Sequence, residues 1–578
     1  MDVENENRDH IRPLPRIGLA ALVVVAFVLG YAGLHGYLRT SADFRHGTWD
    51  EVYYDLQLFL LASGPVNGGG HFPWALSLAR FLAPAATVWA VIQGIRLLLS
   101  GEIARQRTRR LTGHVIVCGD TPTARSLAVA LGRTGRVVTV GGAVGGAGGG
   151  GVRHVDGDPR LTASLVAAGA RGARAVLACA GESSFTLAVA AAAARVARGA
   201  AAPLRVHVEV DDSELCLALR ARRSSLPRRD GVDLDFLQPQ EAAAAALVAR
   251  QGALSGARPG AAAVVVLQDL GDFGAAVLVN LARRWSAQGA PIPLVVHVVD
   301  PDAAERLARV AARFPVVAEH CATTTAPGPL ADALAALEAA GTWPPDRVYL
   351  CGPDDDAAML AALSTPYLWR LRPGAVTVRV AHRTELGRVF DGPGEAAEDG
   401  LDPLGGKISV VGVDELICDP MVLEADFIDF LAQVIHARYV GERARAGETP
   451  ASNPSMVPWS ELAQELRAAN RDQARDLGAK LAVVHAALAP RSAGSGAPFA
   501  FSAAELELLA EREHERWMGE RARRGWKYGP DRDDATLTHP DMVPWQELTE
   551  AARDKDREAV SALPSILGDA GLDIVRVG

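Results

Sequence analysis

Apolar positions along this chain follow three rhythms. The first is the unbroken run. Ile17 to Leu34, IGLAALVVVAFVLGYAGL, holds 18 residues without a charge, enough to cross a bilayer core with modest flanks. A second apolar stretch, about Trp74 to Leu99, carries Arg80, Pro84, Gln93 and Arg96. Polar side chains at membrane depth face a partner or a wet cavity, and arginines near the ends can snorkel. The second rhythm alternates short buried strands with alanine-rich helical runs. VIVCG from Val115, VVTV (137–140), VRHVDGDP (152–159), AVLACA (175–180) and RVHVEV (205–210) predict five strands. VVVLQ (264–268), LVVHVVD (294–300), FPVVAEH (314–320), RVYLCG (347–352) and AVTVRVAH (375–382) predict five more. Such alternation means two Rossmann-like, doubly wound parallel sheets. The third rhythm, helix–loop–helix, occurs twice in the last third. The expected plan is a transmembrane hairpin (1–110), two α/β units (111–256 and 257–404) and a mainly α-helical tandem-repeat domain (405–578).

Basic residues orient the hairpin. Arg8, Arg12 and Arg16 precede it, and Arg105, Arg107, Arg109 and Arg110 follow it. Only Arg39 and Arg45 lie between the two apolar runs. The positive-inside rule puts both termini in the cytoplasm, with the chain multi-pass in the plasma (inner) membrane. Between the runs, YYDLQLFLLA (53–62) is apolar but too short to span, and SGPVNGGG (63–70) follows. A short apolar helix and a Gly-rich turn between spanning helices is the plan of a two-helix pore, with Ser63, Gly64, Asn67 and Gly68 in the pore-like segment. An extracellular loop with an interfacial helix fits the same residues. The potassium filter pattern, Thr-x-Gly-Tyr/Phe-Gly, is absent.

Composition narrows the function classes. Hydrophobic residues at 49% and charged residues at 22% exclude a disordered chain. The net charge of −9 offers no overall basic field, so nucleic acid is not an expected partner. The lysines are Lys407, Lys480, Lys527 and Lys555, so no phosphate-loop or Schiff-base lysine precedes position 407. Cys118, Cys179, Cys216, Cys321, Cys351 and Cys418 form no CxxC pair, and no metal site is expected.

The α/β units are candidate nucleotide sites, because a GxGxxG turn lets backbone approach a pyrophosphate at a helix N-terminus. The first keeps only Gly119 of that pattern. The second keeps Gly271 and Gly274, has Asp269 at the first glycine position, and ends its second strand in Asp300. Structural units without dinucleotide remain an alternative for both. Two apolar helices, a basic linker, HVIVCG and GDP at 157–159 resemble the RCK (regulator of potassium conductance) architecture over about 17–400. That resemblance implies an even homo-oligomer, most simply a tetramer, whose cytosolic units bind nucleotides or ions and act on the membrane helices.

The last third is duplicated. IHARYVGERARAG (435–447) matches EHERWMGERARRG (513–525) at an offset of 78, and MVPWSEL (456–462) matches MVPWQEL (542–548) at 86. In the second copy His514, Trp517 and Arg521 share a helix face, and Gly525 ends the helix. Trp517, Trp526, Tyr528 and Trp545 are expected to cluster, either as the core of a small domain or with Arg516, Arg521 and Arg532 as an anion site. Arginine beside aromatic rings stacks on a base and binds phosphate. Tyr439 and Arg443 would add a wall from the first copy. His514, Trp517, Gly525, Trp526, Tyr528, Gly529, Arg532, Asp533, His539, Pro540, Pro544 and Leu548 make this block resemble the ryanodine-receptor repeat over about 420–565. The first copy lacks the GWxYGxxR core and looks degenerate. The resemblance implies a peripheral sensing or contact module, not a pore.

The resulting expectation is a ligand-gated membrane ion channel or ion-transport regulator that senses a small anionic cytosolic ligand, a nucleotide or dinucleotide. A non-conducting membrane-anchored sensor or scaffold is the alternative. An NAD-dependent oxidoreductase meets broken glycine loops and no His/Asp or Tyr/Lys set, so no enzyme activity is expected.

Overall fold

The structure, a computed structural model, describes residues 14–40, 44–45, 47–67, 71–142, 151–199, 202–225, 231–252, 254, 262–288, 292–382, 407–419, 422, 426–492 and 499–577. The chain divides into two compact units, Met1–Arg110 and Leu111–Gly578.

The first unit is helical: α1 (Leu14–Leu38), α2 (Thr48–Leu58), α3 (Gly64–Asn67) and α4 (Trp74–Arg109). Gly18–Leu38 and Trp74–Ile95 are long and apolar enough to cross a membrane, with mean hydropathies of 2.0 and 1.6. Small residues bring α1 and α4 together. A Cβ on Gly33 would lie 2.5 Å from the Leu76 backbone nitrogen, and Ala79, Ala83 and Ala86 of α4 are fully buried. The outer sides stay apolar: Val24, Val25 and Val28 on α1, and Phe81, Val88, Val91 and Ile95 on α4, are exposed. Helix α2 rests on α1 at Gly30, where a Cβ would meet Asp55 Oδ1 at 1.9 Å. Asp55 is fully buried, and neither of its carboxylate oxygens has a hydrogen-bond partner among the described residues.

The second unit contains two parallel six-stranded sheets. β1 (Val115–Cys118), β2 (Val137–Val140), β3 (Val152–Val155), β4 (Ala175–Ala178), β5 (Leu204–Glu209) and β6 (Val232–Leu237) run in the order β3-β2-β1-β4-β5-β6. β7 (Val264–Gln268), β8 (Leu294–Val299), β9 (Cys321–Ala326), β10 (Arg347–Leu350), β11 (Val376–Val380) and β12 (Ile408–Gly412) run in the order β12-β11-β10-β7-β8-β9. The two orders are the same doubly wound topology, so both sheets are Rossmann-like.

Three sequence expectations change. FPVVAEH is not a strand: Pro315 opens the helix Pro315–His320, which buries Val316 and Val317, and the strand is the next segment, CATTTA. Its mostly exposed or half-buried residues suit an edge strand. VDLDFL forms a sixth strand in the first sheet, its aspartates having masked it. Ile408–Gly412 completes the second sheet beyond position 404.

The sheets also exchange helices. The helix Pro239–Arg250 follows β6, yet Ala243, Ala244 and Leu247 pack into the core of the second sheet. After β12, Cys418 packs against the first sheet's core, and Ser126 donates to Asp414 at 2.9 Å.

The C-terminal region is mainly helical: Phe427–Arg445, Gln464–Val483, Ala503–Arg523, Glu550–Ser561 and Leu563–Asp569. Each repeat copy ends in a strand, Ala486–Pro490 and Leu572–Arg576, and these pair antiparallel, Ala486 opposite Arg576. Leu431, Leu477, Leu509 and Leu567 form one core with Leu217 and Ala221 of the first α/β unit. The domain touches both α/β units closely, one through backbone and one through a ring. A Cβ on Gly478 would lie 1.9 Å from the Ser224 carbonyl oxygen, and one on Gly571 2.6 Å from the Phe314 ring. Leu488 N donates to Ser225 Oγ at 2.9 Å, and Arg491 Nε to the Ala312 carbonyl at 3.1 Å.

Gly478→Val forces two backbones apart, and overpacking of this kind costs about 1–3 kcal/mol. We expect the variant to melt several degrees lower, with an early transition in the C-terminal domain. Unchanged melting in calorimetry would show that the contact carries no stability.

Candidate functional site

The duplicated helices place equivalent side chains in equivalent settings. In the first copy His436 Nε2 donates to the Val457 carbonyl at 2.8 Å and packs against Tyr439 and Trp459, centroids 6.5 and 5.9 Å away. In the second, His514 Nε2 donates to the Val543 carbonyl at 2.8 Å and packs against Trp517 and Trp545, at 5.7 and 6.0 Å. Both histidines are buried pins between helix and loop. Their electrostatics differ. Burial holds His436 below the usual imidazole range against its carbonyl contact. Burial acts on His514 too, but Asp556, 3.4 Å from Nδ1, with the Val543 carbonyl, outweighs it and raises the pKa. Asn470 stands 86 residues before Asp556, so the duplication retains no carboxylate there.

The second copy alone adds a cationic aromatic cluster. Gly525, at φ +86°, ends the helix and turns the chain into Trp526. Lys527–Tyr528 pairs with Thr538–His539 as a two-stranded clasp, where a Cβ on Gly529 would meet Thr538 at 2.6 Å. The clasp brings His539 to Trp517 and Trp526, centroids 5.0 and 6.3 Å away. The Arg521 guanidinium carbon lies 4.6 Å from the Trp526 centroid and 5.9 Å from that of Trp517. Its Nε is buried without a hydrogen-bond partner among the described residues, and its nearest carboxylate, Glu520, is 4.0 Å away. Burial pulls Arg521 below its ordinary pKa, and the Arg532 and Arg524 charges add to this against Glu520. Burial also lowers His539, against Asp541, with the Arg532 and Arg521 charges adding to it. The Arg532 charge therefore disfavours protonation of both Arg521 and His539, and an anion among the three would relieve that repulsion.

The other sequence candidates sort differently. Tyr528 is exposed, and Arg532 is exposed and paired with Asp534 at 3.1 Å. Arg516 turns to Glu513 at 2.7 Å, in a buried ion cluster with Lys480 and Asp476 that joins the two copies. Burial raises Glu513, but Lys480 and Arg516 outweigh it and hold its carboxyl below the usual range. Trp545 is buried in a small core with Ala510, Leu548 and Ala552. Tyr439 and Arg443 make their ring and ion contacts inside the first copy: Arg443 over Tyr439 at 5.5 Å and near Glu448 at 3.3 Å, with Asn453 donating to the Tyr439 hydroxyl at 2.9 Å. His539 and Asp556 were not singled out as site residues in the sequence, because no neighbouring pattern marks their contacts.

In the first sheet the turn after β1 is tight. Gly119, at φ +131°, would place a Cβ 1.8 Å from the Cys179 carbonyl. Thr121 caps the following helix by accepting from Ala124 N at 3.1 Å. In the second, the chain's own carboxylates occupy the turn. Asp300, nearly fully buried, accepts from Leu270 N at 2.8 Å and meets Arg306 at 3.2 Å, while Gly271 N donates to Asp269 at 2.7 Å. Gly274 is required because a Cβ would lie 2.1 Å from the Asp269 carbonyl oxygen. In the helical unit Ser63 is buried, its Oγ without a hydrogen-bond partner among the described residues, Gly64 N donates to Gln57 at 3.4 Å, and Asn67 ends α3; Gly68 lies outside the described residues.

The family model of the RyR domain matches residues 502–576, the second copy. No curated protein matches the chain. Among solved structures, the GsuK channel aligns at 15% identity over 71% of this chain and 97% of its own, with a TM-score of 0.34. The GsuK channel bound to NAD aligns at 14% over 71% and 82%, also at 0.34. The A chain of dipicolinate synthase from Bacillus subtilis aligns at 11% over 59% and 100%, at 0.21.

A raised His514 pKa means that its protonated form favours folding. That contribution is complete below about pH 6.5 and is lost as pH rises through the folded-state value. Wild type should therefore lose more thermal stability between pH 6 and pH 8 than Asp556→Asn. Parallel melting curves for the two proteins would remove His514 from the pH response.

Proposed function

We propose that the chain is a ligand-gated ion conduit or ion-transport regulator of the plasma membrane. The two apolar helices span the bilayer, both termini face the cytoplasm, and copies assemble as a tetramer. The reading is non-enzymatic. The cytosolic sheets and tandem repeat bias one of two assembly states when a small anion, nucleotide-like in chemistry, is bound. One observation carries this reading: the domain that holds the Arg521–Arg532–His539 cluster is seated closely on both α/β units. A ligand that draws the clasp towards Arg521 acts on a body that both sheets contact. The absence of a Thr-x-Gly-Tyr/Phe-Gly filter within 63–70 supports a second reading, a membrane-anchored sensor that conducts nothing.

Arg521→Ala and Arg532→Ala should leave folding and oligomeric state intact. Each should weaken an anionic nucleotide at least tenfold, about 1.4 kcal/mol, in calorimetry on the full chain. No heat with any nucleotide, or unchanged affinity in both variants, would return these arginines to an ordinary surface. For topology, a cysteine replacing Ala62 should react with an impermeant thiol reagent from outside, and one replacing Arg198 only from the cytoplasmic side. The reverse pattern would overturn the hairpin.

A further inference from the structure

A large cleft in the second unit lies where its three parts meet, lined by none of the residues of the repeat's cationic cluster. Its volume is about 990 Å³. Small-molecule sites fall in the range of about 300–1,000 Å³ and favour such junctions. One wall is the exchanged helix Pro239–Arg250, which presents Ala242, Ala245, Ala246 and Ala249. Beside it, the helix Asp272–Ala287 presents Ala275, Ala276 and Val279. Short side chains on both helices line an apolar trough on which a flat ring can lie. Phe427 and Phe430 of the repeat domain and Phe314 of the second sheet close one side.

The polar groups are unevenly matched. Arg220 pairs with Glu241 at 2.7 Å, Arg250 with Asp419 at 2.8 Å, and Arg313 with Glu214. Asp235 and Asp426 also line the cleft, but each accepts from main-chain N–H groups, of Phe427 at 3.1 Å and Asp429 at 2.8 Å. Asp272 accepts from Ser213 at 3.3 Å. Arg283 and Arg284 make their hydrogen bonds to main-chain carbonyls: Arg283 Nη2 to Asp569 at 2.6 Å, and Arg284 Nη1 to Gln251 at 2.6 Å. The Arg283 guanidinium sits between Phe430 and Phe314, 4.7 and 5.5 Å from their centroids, and its Nε is buried without an acceptor among the described residues. Burial lowers its pKa to about 10 against the Asp569 and Glu241 charges. A buried guanidinium with an unused donor is costly unless an acceptor reaches it.

We propose that this cleft is a second ligand site, taking a small organic anion with a flat apolar body. The ring lies in the alanine trough and the carboxylate or phosphate faces Arg283. Such a ligand touches both α/β units and the repeat domain together, so its binding favours the arrangement in which all three are joined.

The test is calorimetry on the full chain in detergent, with titrations into detergent alone subtracted. The chain carries Arg521→Ala and Arg532→Ala, so that the repeat site is silent and the two proposals fail independently. The probes are 2-naphthoate, 1-naphthyl phosphate and the uncharged 2-naphthamide. At least one anion should bind, with the amide at least tenfold weaker; which anion binds more tightly separates carboxylate from phosphate ligands. Ala249→Trp places an indole in the trough from an exposed position and should weaken the anion at least tenfold. Arg283→Lys keeps the charge but removes Nε–H and should narrow the preference for anion over amide. Should the tryptophan variant fail to fold, Ala245→Trp, on the same exposed wall, replaces it. No binding of either anion, equal binding of the amide, or full affinity in both the tryptophan and lysine variants would each overturn the proposal.

Discussion

Two close approaches govern the second unit. Gly478 meets the Ser224 carbonyl and Gly571 meets the Phe314 ring, at distances that admit no side chain. The first seats the repeat domain on one α/β unit and the second seats it on the other. Antiparallel pairing of Ala486–Pro490 with Leu572–Arg576 ties the two repeat copies together, so both contacts belong to one body. The buried Lys480–Glu513–Arg516 cluster ties them again. Removing one partner of such a cluster would leave a buried charge uncompensated, which costs several kcal/mol.

The helix exchange between the sheets works in the same direction. Pro239–Arg250 contributes alanines to the second core, and the segment after β12 returns to the first. Neither sheet completes its packing alone. A displacement of one therefore acts on the other through side chains that belong to both, and the cleft lies on this shared helix.

Much of this was legible in the sequence, and the failures have physical causes. Buried parallel strands read as short apolar runs, so nine of the strands lay where the runs were. VDLDFL and CATTTA were missed because edge strands keep polar faces. FPVVAEH misled because two buried valines in one helical turn look like a strand core, and only Pro315 at the helix start separates the cases. The 78- and 86-residue offsets revealed the duplication, and the matched histidine pins follow from it. Arginine roles were not legible. Arg516 and Arg521 are five residues apart on one helix, yet one enters a buried ion cluster and the other an aromatic cluster. Asp300 stood where a ribose partner would stand, but its carboxylate holds Leu270 N and Arg306 instead. Long-range packing and the carboxylates that surround each guanidinium set these roles, and spacing does not encode them.

The arginine-rich, lysine-poor composition matters to the mechanism. A guanidinium can lie flat on an aromatic ring while its edge still donates hydrogen bonds. Arg283 between two phenylalanines, with Nη2 donating to the Asp569 carbonyl, uses that property, and Arg521 lies against two tryptophans. The central claim, that the helical hairpin is an ion path governed by the cytosolic unit, is tested most directly by recording from the purified full chain in planar bilayers. The account predicts discrete ion currents whose open probability changes when an anionic nucleotide is added on the cytoplasmic side. Folded, oligomeric protein that incorporates into the bilayer and passes no current, with or without nucleotide, would contradict it and leave the non-conducting sensor.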